Sequence, residues 1–293
     1  MLEHLTDLRR PRRVVIAGAG GFVGAAVADR LERDGVSVLR LTRETIDLAA
    51  PGAETKLAPL LEGADAFVAA AARAPCKSAE MLIENLVIAR ALAGALSRAP
   101  VAHVVNISSD AVYADSELPI TEKSCASPGT LHGVMHLARE IVLKDEVKAR
   151  LASVRPSLLY GARDPHNGYG PNRFRRLAAS GAPIVLFGEG EERRDHVFIN
   201  DLAELVARIV YRRSSGTLNV ATGEVHSFAE IAQKVISLSR KKVDVKTSPR
   251  SGPMPHGGYR AFDISACRRA FPDFHFTPLK DGLRKAQEGA RNG

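Results

Sequence analysis

Two histidines, His132 and His136, stand four residues apart in the stretch LHGVMHLARE (131–140). On an α-helix that spacing stacks both rings on one face. A free imidazole titrates at about 6.5, so such a pair could move protons at neutral pH or ligate a metal. A zinc pair of the HExxH kind needs glutamate directly after the first histidine, but Gly133 stands there and the sequence offers no third ligand. No metal site is therefore expected. The bland alternative is a pair of core-lining or solvated histidines without a role. A second constellation is VVIAGAGGFVG (14–24), in which Gly18, Gly21 and Gly24 follow an apolar run. Glycines at a strand-to-helix turn let the backbone bend sharply and approach a pyrophosphate. The helix that follows, opening with Phe22, Val23 and Gly24, offers unpaired N–H groups and the positive end of its dipole. Val23 departs from the common dinucleotide fingerprint, which has a small residue there, and the glycines could also serve close packing alone.

The elements that would position these residues alternate. An apolar run at 12–17 precedes the glycine turn, and a helical pattern runs from Phe22 to Gly35, where glycine stops it. Strands at 36–41, 64–72, 101–109 and 151–161 then alternate with helices at 53–63, 79–99 and 131–147. Repeated strand–helix alternation requires crossovers, so it implies an α/β fold: a doubly wound parallel sheet of the Rossmann type. Beyond Gly161 the texture changes to Pro- and Gly-rich loops between short elements. This predicts a smaller C-terminal substrate-binding lobe over the carboxyl edge of the sheet. The expected division is a dinucleotide-binding domain at 12–160 with returning segments at about 195–222, and a lobe formed by 161–194 and 223–293. The ends, 1–10 and 288–293, are expected to be the loosely ordered parts.

Composition narrows the classes. The 293 residues are 45% hydrophobic and 25% charged, which suits a globular chain with a substantial core. Three scattered cysteines, Cys76, Cys125 and Cys267, fit neither a disulfide framework nor paired metal knuckles and point to a reducing cytoplasm. The basic stretch before the first strand imitates an export signal, but four glycines interrupt its apolar part and no run is long enough to span a bilayer, so no membrane partner is expected. The net charge of +8 comes from scattered short clusters, with 5% aromatics and no tryptophan for base stacking. No nucleic-acid partner is expected.

With these motifs in place, the chain resembles the extended short-chain dehydrogenase/reductase superfamily, the NAD-dependent epimerases, dehydratases and reductases of nucleotide sugars, over nearly its whole length. The segment VLRLTRETIDL (38–48) resembles that of GDP-fucose synthases, with Arg43 at the position of an arginine that takes the 2′-phosphate of NADP. Guanidinium forks suit phosphate oxygens, and no acid precedes Glu44, so the resemblance implies NADP in preference to NAD. It further implies adenine contacts from Asp47 and Leu48, and passage of the cofactor over Ala69, Ala70 and Ala71. In RPSLLYG, Pro156 and Leu158 match residues that pass the nicotinamide carboxamide.

The same resemblance assigns the catalytic segment. NISSDAVY places Ser109 as the residue that orients a substrate hydroxyl or carbonyl, although a serine there could simply cap the strand end. LHGVMHLARE resembles the helix that carries the superfamily's Tyr-x-x-x-Lys pair, with His132 at the tyrosine and His136 at the lysine position. His132 then becomes the candidate proton carrier and His136 its partner at the cofactor ribose. A histidine is shorter than tyrosine, and a neutral one lacks the fixed charge of lysine. In the lobe, Asn172, Arg194 and Arg260 match positions that contact the diphosphate of a nucleotide-diphospho-sugar, though each arginine could instead pair with a neighbouring acid such as Glu191, Glu192 or Asp195. The implied activity is hydride transfer at a sugar carbon; the competing possibility is a non-catalytic paralogue that keeps the nucleotide-binding fold. A homodimer is implied through the helices around Asn85 and the histidines, with Leu82, Leu86, Ala89 and Ala93 as a compatible apolar stripe.

Overall fold

A computed structural model describes residues 2–5 and 8–290. The Rossmann half reads β1 (Arg13–Ala17), α1 (Phe22–Arg33), β2 (Ser37–Leu41), α2 (Ala53–Leu57), β3 (Ala66–Ala69), α3 (Ala79–Arg98), β4 (His103–Ile107), α4 (Leu131–Glu146) and β5 (Arg150–Pro156). The chain continues through β6 (Leu158–Tyr160), α5 (Pro171–Ser180), β7 (Ile184–Phe187), β8 (Arg193–Phe198), α6 (Ile199–Tyr211) and β9 (Gly216–Val220). It ends with β10 (Val225–Ser227), α7 (Phe228–Ser237), β11 (Val245–Ser248), β12 (Tyr259–Arg260), α8 (Ser265–Ala270) and α9 (Leu279–Gly289).

Six strands form one sheet in the order β2-β1-β3-β4-β5-β9, and every pairing is parallel. Along β1 the side chains divide by period two: Val14 and Ile16 pack into one core cluster, Val15 and Ala17 into the other. The first cluster takes Val27 and Leu31 of α1 and Leu202 and Val206 of α6. The second takes Leu57 of α2, Ile88, Leu92 and Leu96 of α3, and Leu143 of α4. Both faces are thus covered, which is why β1, β3 and β4 are apolar runs rather than alternating ones. Strand order reverses between β1 and β3, and that reversal opens a crevice at their carboxyl ends.

Four differences from the sequence expectations have physical causes. The stretch 151–161 splits after Pro156: β6 leaves the main sheet and pairs with β8, which also pairs with β10 and β12. The segment that rejoins the main sheet therefore begins with α6, not at Asp195. The start of the chain is tied down, since Glu3 bridges Ser215 and His4 bonds both the Ser214 hydroxyl (2.7 Å) and the Ala270 carbonyl (2.9 Å). Residues 1, 6, 7 and 291–293 of the expected loose ends lie outside the described residues. Finally, Ala89 and Ala93 of the proposed dimer stripe are buried within the chain, whereas Ile83 and Leu86 face outward. Among the described residues no helix is long and apolar enough to cross a membrane, and all three cysteines are free thiols.

Candidate active site

The glycine turn after β1 is as tight as its spacing predicts. Gly18 has φ +85°, and a Cβ there would lie 2.6 Å from the Ala71 backbone. A Cβ on Gly24 would run into the Gly18 carbonyl. Gly21 caps α1 without any side-chain hydrogen bond, so the helix's first N–H groups face the crevice uncapped. These features fit a dinucleotide pyrophosphate, which needs close backbone approach and free N–H donors. Gly24→Ala is expected to destabilise the fold by about 1–3 kcal/mol, because the clash is with backbone. A urea unfolding curve checks this, and a loss below the error of the measurement would mean the turn can relax.

A cavity of about 890 Å³ opens over this turn. Its walls bring together Gly21, Phe22, Val23, Gly24, Ala70, Ser109, His132, His136, Pro156, Leu158, Asn172, Arg194 and Arg260. Gly18, Ala69 and Ala71, expected along the cofactor's path, are not among its lining residues: Gly18 packs on the Ala71 backbone, and Ala69 pairs with Ala17 in the sheet. Leu48 is buried in the core beside α3, and the Asp47 carboxylate accepts from the Ala49 N–H (3.0 Å). Of the two arginines after β2, Arg40 is locked onto α1 by Glu32 and Asp29. Arg43 stays 69% exposed, with Glu84 at 3.6 Å, so Arg43 alone keeps its guanidinium available.

Ser109, two residues past β4, caps a one-turn helix, accepting from the Ala111 N–H at 3.1 Å. That turn is pressed against α4: a Cβ on Gly133 would run into the Ala111 carbonyl. Glycine after His132 therefore lets the start of α4 approach the serine turn, and Thr130 caps the helix by accepting from the Gly133 N–H (3.2 Å). The two imidazoles meet edge to face, 4.7 Å between centroids. His132 Nδ1 lies 3.4 Å from the Cys76 N–H, so in the neutral ring Nδ1 accepts and Nε2 carries the proton. Burial, then the Arg139 and His166 charges, hold His132 below the ordinary histidine range against the pull of Asp110. His136 is pushed well below it by burial, Arg139 and His132 in that order. Both rings are neutral at pH 7.

Of the three residues expected to contact a diphosphate, the two arginines sit in ion pairs and Asn172 in backbone hydrogen bonds. Arg194 places Nε and Nη2 on one oxygen of Glu192, at 2.8 and 2.6 Å. Arg260 is tied by Nε to Asp110 (2.9 Å), by Nη2 to the Asp110 carbonyl (2.6 Å) and by Nη1 to Asp115 (3.3 Å). It braces the serine turn against the lobe, and its proposed role as a free phosphate ligand is not what its contacts favour. Asn172 bridges the Gly161 N–H and the Leu159 carbonyl, joining α5 to β6. Sequence reasoning missed Arg250, which also lines the cavity. Its Nη1 donates to Glu192 (3.0 Å) while Nε and Nη2 are buried without a partner. Nothing in SPRSGPMP marks that arginine, since its place beside Arg194 depends on the loop's path across the lobe.

Comparison with known proteins places this geometry in a family. A model of the NAD dependent epimerase/dehydratase family matches residues 14–221. The chain is 26% identical to the dTDP-4-dehydro-6-deoxy-D-allose reductase of Streptomyces bikiniensis, with 96% of this chain and 97% of the relative covered. It is similar in fold to the UDP-glucose 4-epimerase of Thermus thermophilus in complex with NAD, at TM-score 0.82 and 23% identity, covering 95% and 99% of the two chains. The UDP-glucose 4-epimerase of Thermotoga maritima with UDP-glucose gives TM-score 0.80 at 19% identity, covering 96% and 99%. With its model matched over more than half the sequence, the chain belongs to the NAD-dependent epimerase/dehydratase family.

Proposed function

We propose that the protein is an oxidoreductase or epimerase of nucleotide-diphospho-sugars, using NADP in preference to NAD. One observation carries this reading: Ser109, His132 and His136 line the same cavity as the glycine turn and the arginines of the lobe. The glycine turn and the α1 N-terminus would hold the pyrophosphate, and Arg43 the 2′-phosphate. The bound dinucleotide would supply the hydride acceptor and donor. Asn172, Arg194 and Arg250 would face the sugar nucleotide's diphosphate, with the unpartnered Nε/Nη2 side of Arg250 giving a bidentate fork. The resemblance to a UDP-sugar-binding fold and to a dTDP-sugar reductase supports this substrate class.

In this scheme Ser109 aligns the reacting oxygen and His132 exchanges its proton at Nε2. As held in the structure, neutral His132 accepts at Nδ1 and so carries at Nε2 a hydrogen it can donate. To accept a proton there it must shift tautomer and give up the Cys76 contact, a long and weak hydrogen bond. His136 would bond the cofactor ribose. The outward Ile83 and Leu86 of α3 and Val134 and Ile141 of α4 support a contact between two copies, and the free thiols support a reducing compartment such as the cytoplasm.

Incubation with NADPH and a panel of keto-sugar nucleotides tests the reading. Turnover of at least one substrate is expected, with His132→Phe cutting kcat by about a hundredfold. Full activity in that variant would remove His132 as the proton carrier. Tight NADPH binding without turnover would point to the binding paralogue.

A further inference from the structure

We propose that Arg139 is the fixed charge of this active site: its guanidinium holds His136 as a neutral N–H donor and biases the pocket toward the reduced form of the cofactor. The inference rests on the reading of the cavity as a dinucleotide site, and it concerns a residue of LHGVMHLARE to which the sequence assigns no role. Arg139 lies three residues beyond His136 on the inner face of α4, is 3% exposed and lines the cavity. Its Nη1 donates to the Ala71 carbonyl (2.8 Å), just past β3, and its Nη2 donates to the Ile107 carbonyl at the end of β4. The guanidinium thus plugs the floor of the cavity between two strand ends.

Its pairing sets it apart from several other buried arginines. Arg155, Arg194 and Arg260 each hold a carboxylate, from Glu140, Glu192 and Asp110. Among the described residues Arg139 forms no ion pair; its hydrogen-bond partners are two carbonyls and an imidazole. Glu140, next to it on the helix, is already bound by Arg155 through two bonds of 2.8 and 2.5 Å. Burial lowers the Arg139 pKa to about 10, so the group stays charged at neutral pH. Glu140 attracts it through space, but with no carboxylate in contact its charge is less compensated than that of a paired arginine and reaches farther.

Two consequences follow from chemistry. Arginine only donates, and Nη2 lies 3.4 Å from His136 Nδ1, so that nitrogen must accept and Nε2 must carry the hydrogen. Protonation of His136 would set an N–H against the guanidinium. The other titratable group against this ring is His132, itself neutral, while Asp110 and His166 act on His132 from the serine turn and the loop after β6. The second consequence concerns the cofactor. An oxidised nicotinamide carries a positive charge and a reduced one does not, so an unpaired cation in a low-dielectric floor disfavours the oxidised form.

The experiment compares the Kd values of NAD+, NADH, NADP+ and NADPH by calorimetry in the wild type, Arg139→Met and Arg139→Lys. The reduced-over-oxidised preference should fall about tenfold in Arg139→Met and be largely kept in Arg139→Lys. An unchanged ratio in a methionine variant that still binds both forms would overturn the proposed bias. In parallel, 15N–1H spectra of the histidine rings should show His136 as the Nε2–H tautomer in the wild type, its titration moving up toward the ordinary range in Arg139→Met. An Nδ1–H wild-type ring overturns the contact even if the methionine variant fails to fold. If the wild type binds none of the four dinucleotides, the function proposed above fails and the cofactor bias with it, while the tautomer still decides the Arg139–His136 contact.

Discussion

His136→Lys is expected to lower the unfolding free energy at pH 7 by about 3–5 kcal/mol, the usual cost of a buried charge without a partner. The helix resembles one with lysine at this position, so the substitution would look like a restoration. The surroundings say otherwise. His136 is buried, and its Nδ1 is 3.4 Å from a guanidinium that already carries an unpaired charge. A lysine amine there meets a like charge and either loses its proton or pushes Arg139 off the Ala71 and Ile107 carbonyls. Arg139→Leu in the same chain should relieve the repulsion, giving a coupling of about 2 kcal/mol in a double-mutant cycle. Urea unfolding of the four proteins measures it. Additive losses would show that the two sites do not sense each other's charge.

What could be read without coordinates depended on range. The alternation of elements was legible because Val-rich runs such as RVVIA and HVVNI and the glycine turn after the first of them are local signals. The departure of β6 was not, since Leu158–Tyr160 is apolar whichever sheet it joins and its partner β8 lies more than thirty residues on. The same limit governs the site. His132, His136 and Ser109 carry local motifs, and the structure brings them to one cavity. Arg43 is marked by its position in VLRLTRE, but that Asp29 and Glu32 occupy Arg40 shows only in the packing of α1 beside β2. Arg260 invites a phosphate role until Asp110, 150 residues earlier in the chain, is found against it. Nothing local sets Arg139 apart on its helix, and its burial follows from where β3 and β4 end, since its guanidinium bonds the Ala71 and Ile107 carbonyls there.

The stability of the folded chain should fall as pH drops below about 6.5, well before most carboxylates titrate. The cause is a set of histidines buried in neutral form. His103 gives its Nε2–H to the Ser214 carbonyl at 2.6 Å, which leaves Nδ1 buried with no partner, and burial lowers its pKa to about 4. His196 donates from Nδ1 to the Arg194 carbonyl, and burial lowers it to about 3. His136 shifts the same way. In the unfolded chain these rings take protons from about 6.5 downward, while the folded ones do not. The unfolded state therefore binds more protons in this window, and stability rises with pH across it. Between the folded and unfolded pKa values each such histidine contributes a slope approaching about 1.4 kcal/mol per pH unit, so its stabilisation is fully present above 6.5 and lost as pH falls toward the folded value. Asp195 and Asp201, raised by burial, act in the opposite sense at the acid end, so a single-site comparison isolates the effect. His103→Gln keeps a donor for Ser214 and cannot titrate. Its unfolding free energy, followed from pH 6 to 4.5, should lose about 1.4 kcal/mol per unit less than the wild type. Parallel profiles would mean that His103 is already protonated in the fold, with its Nδ1 bonded to a group that the arrangement around β4 does not supply.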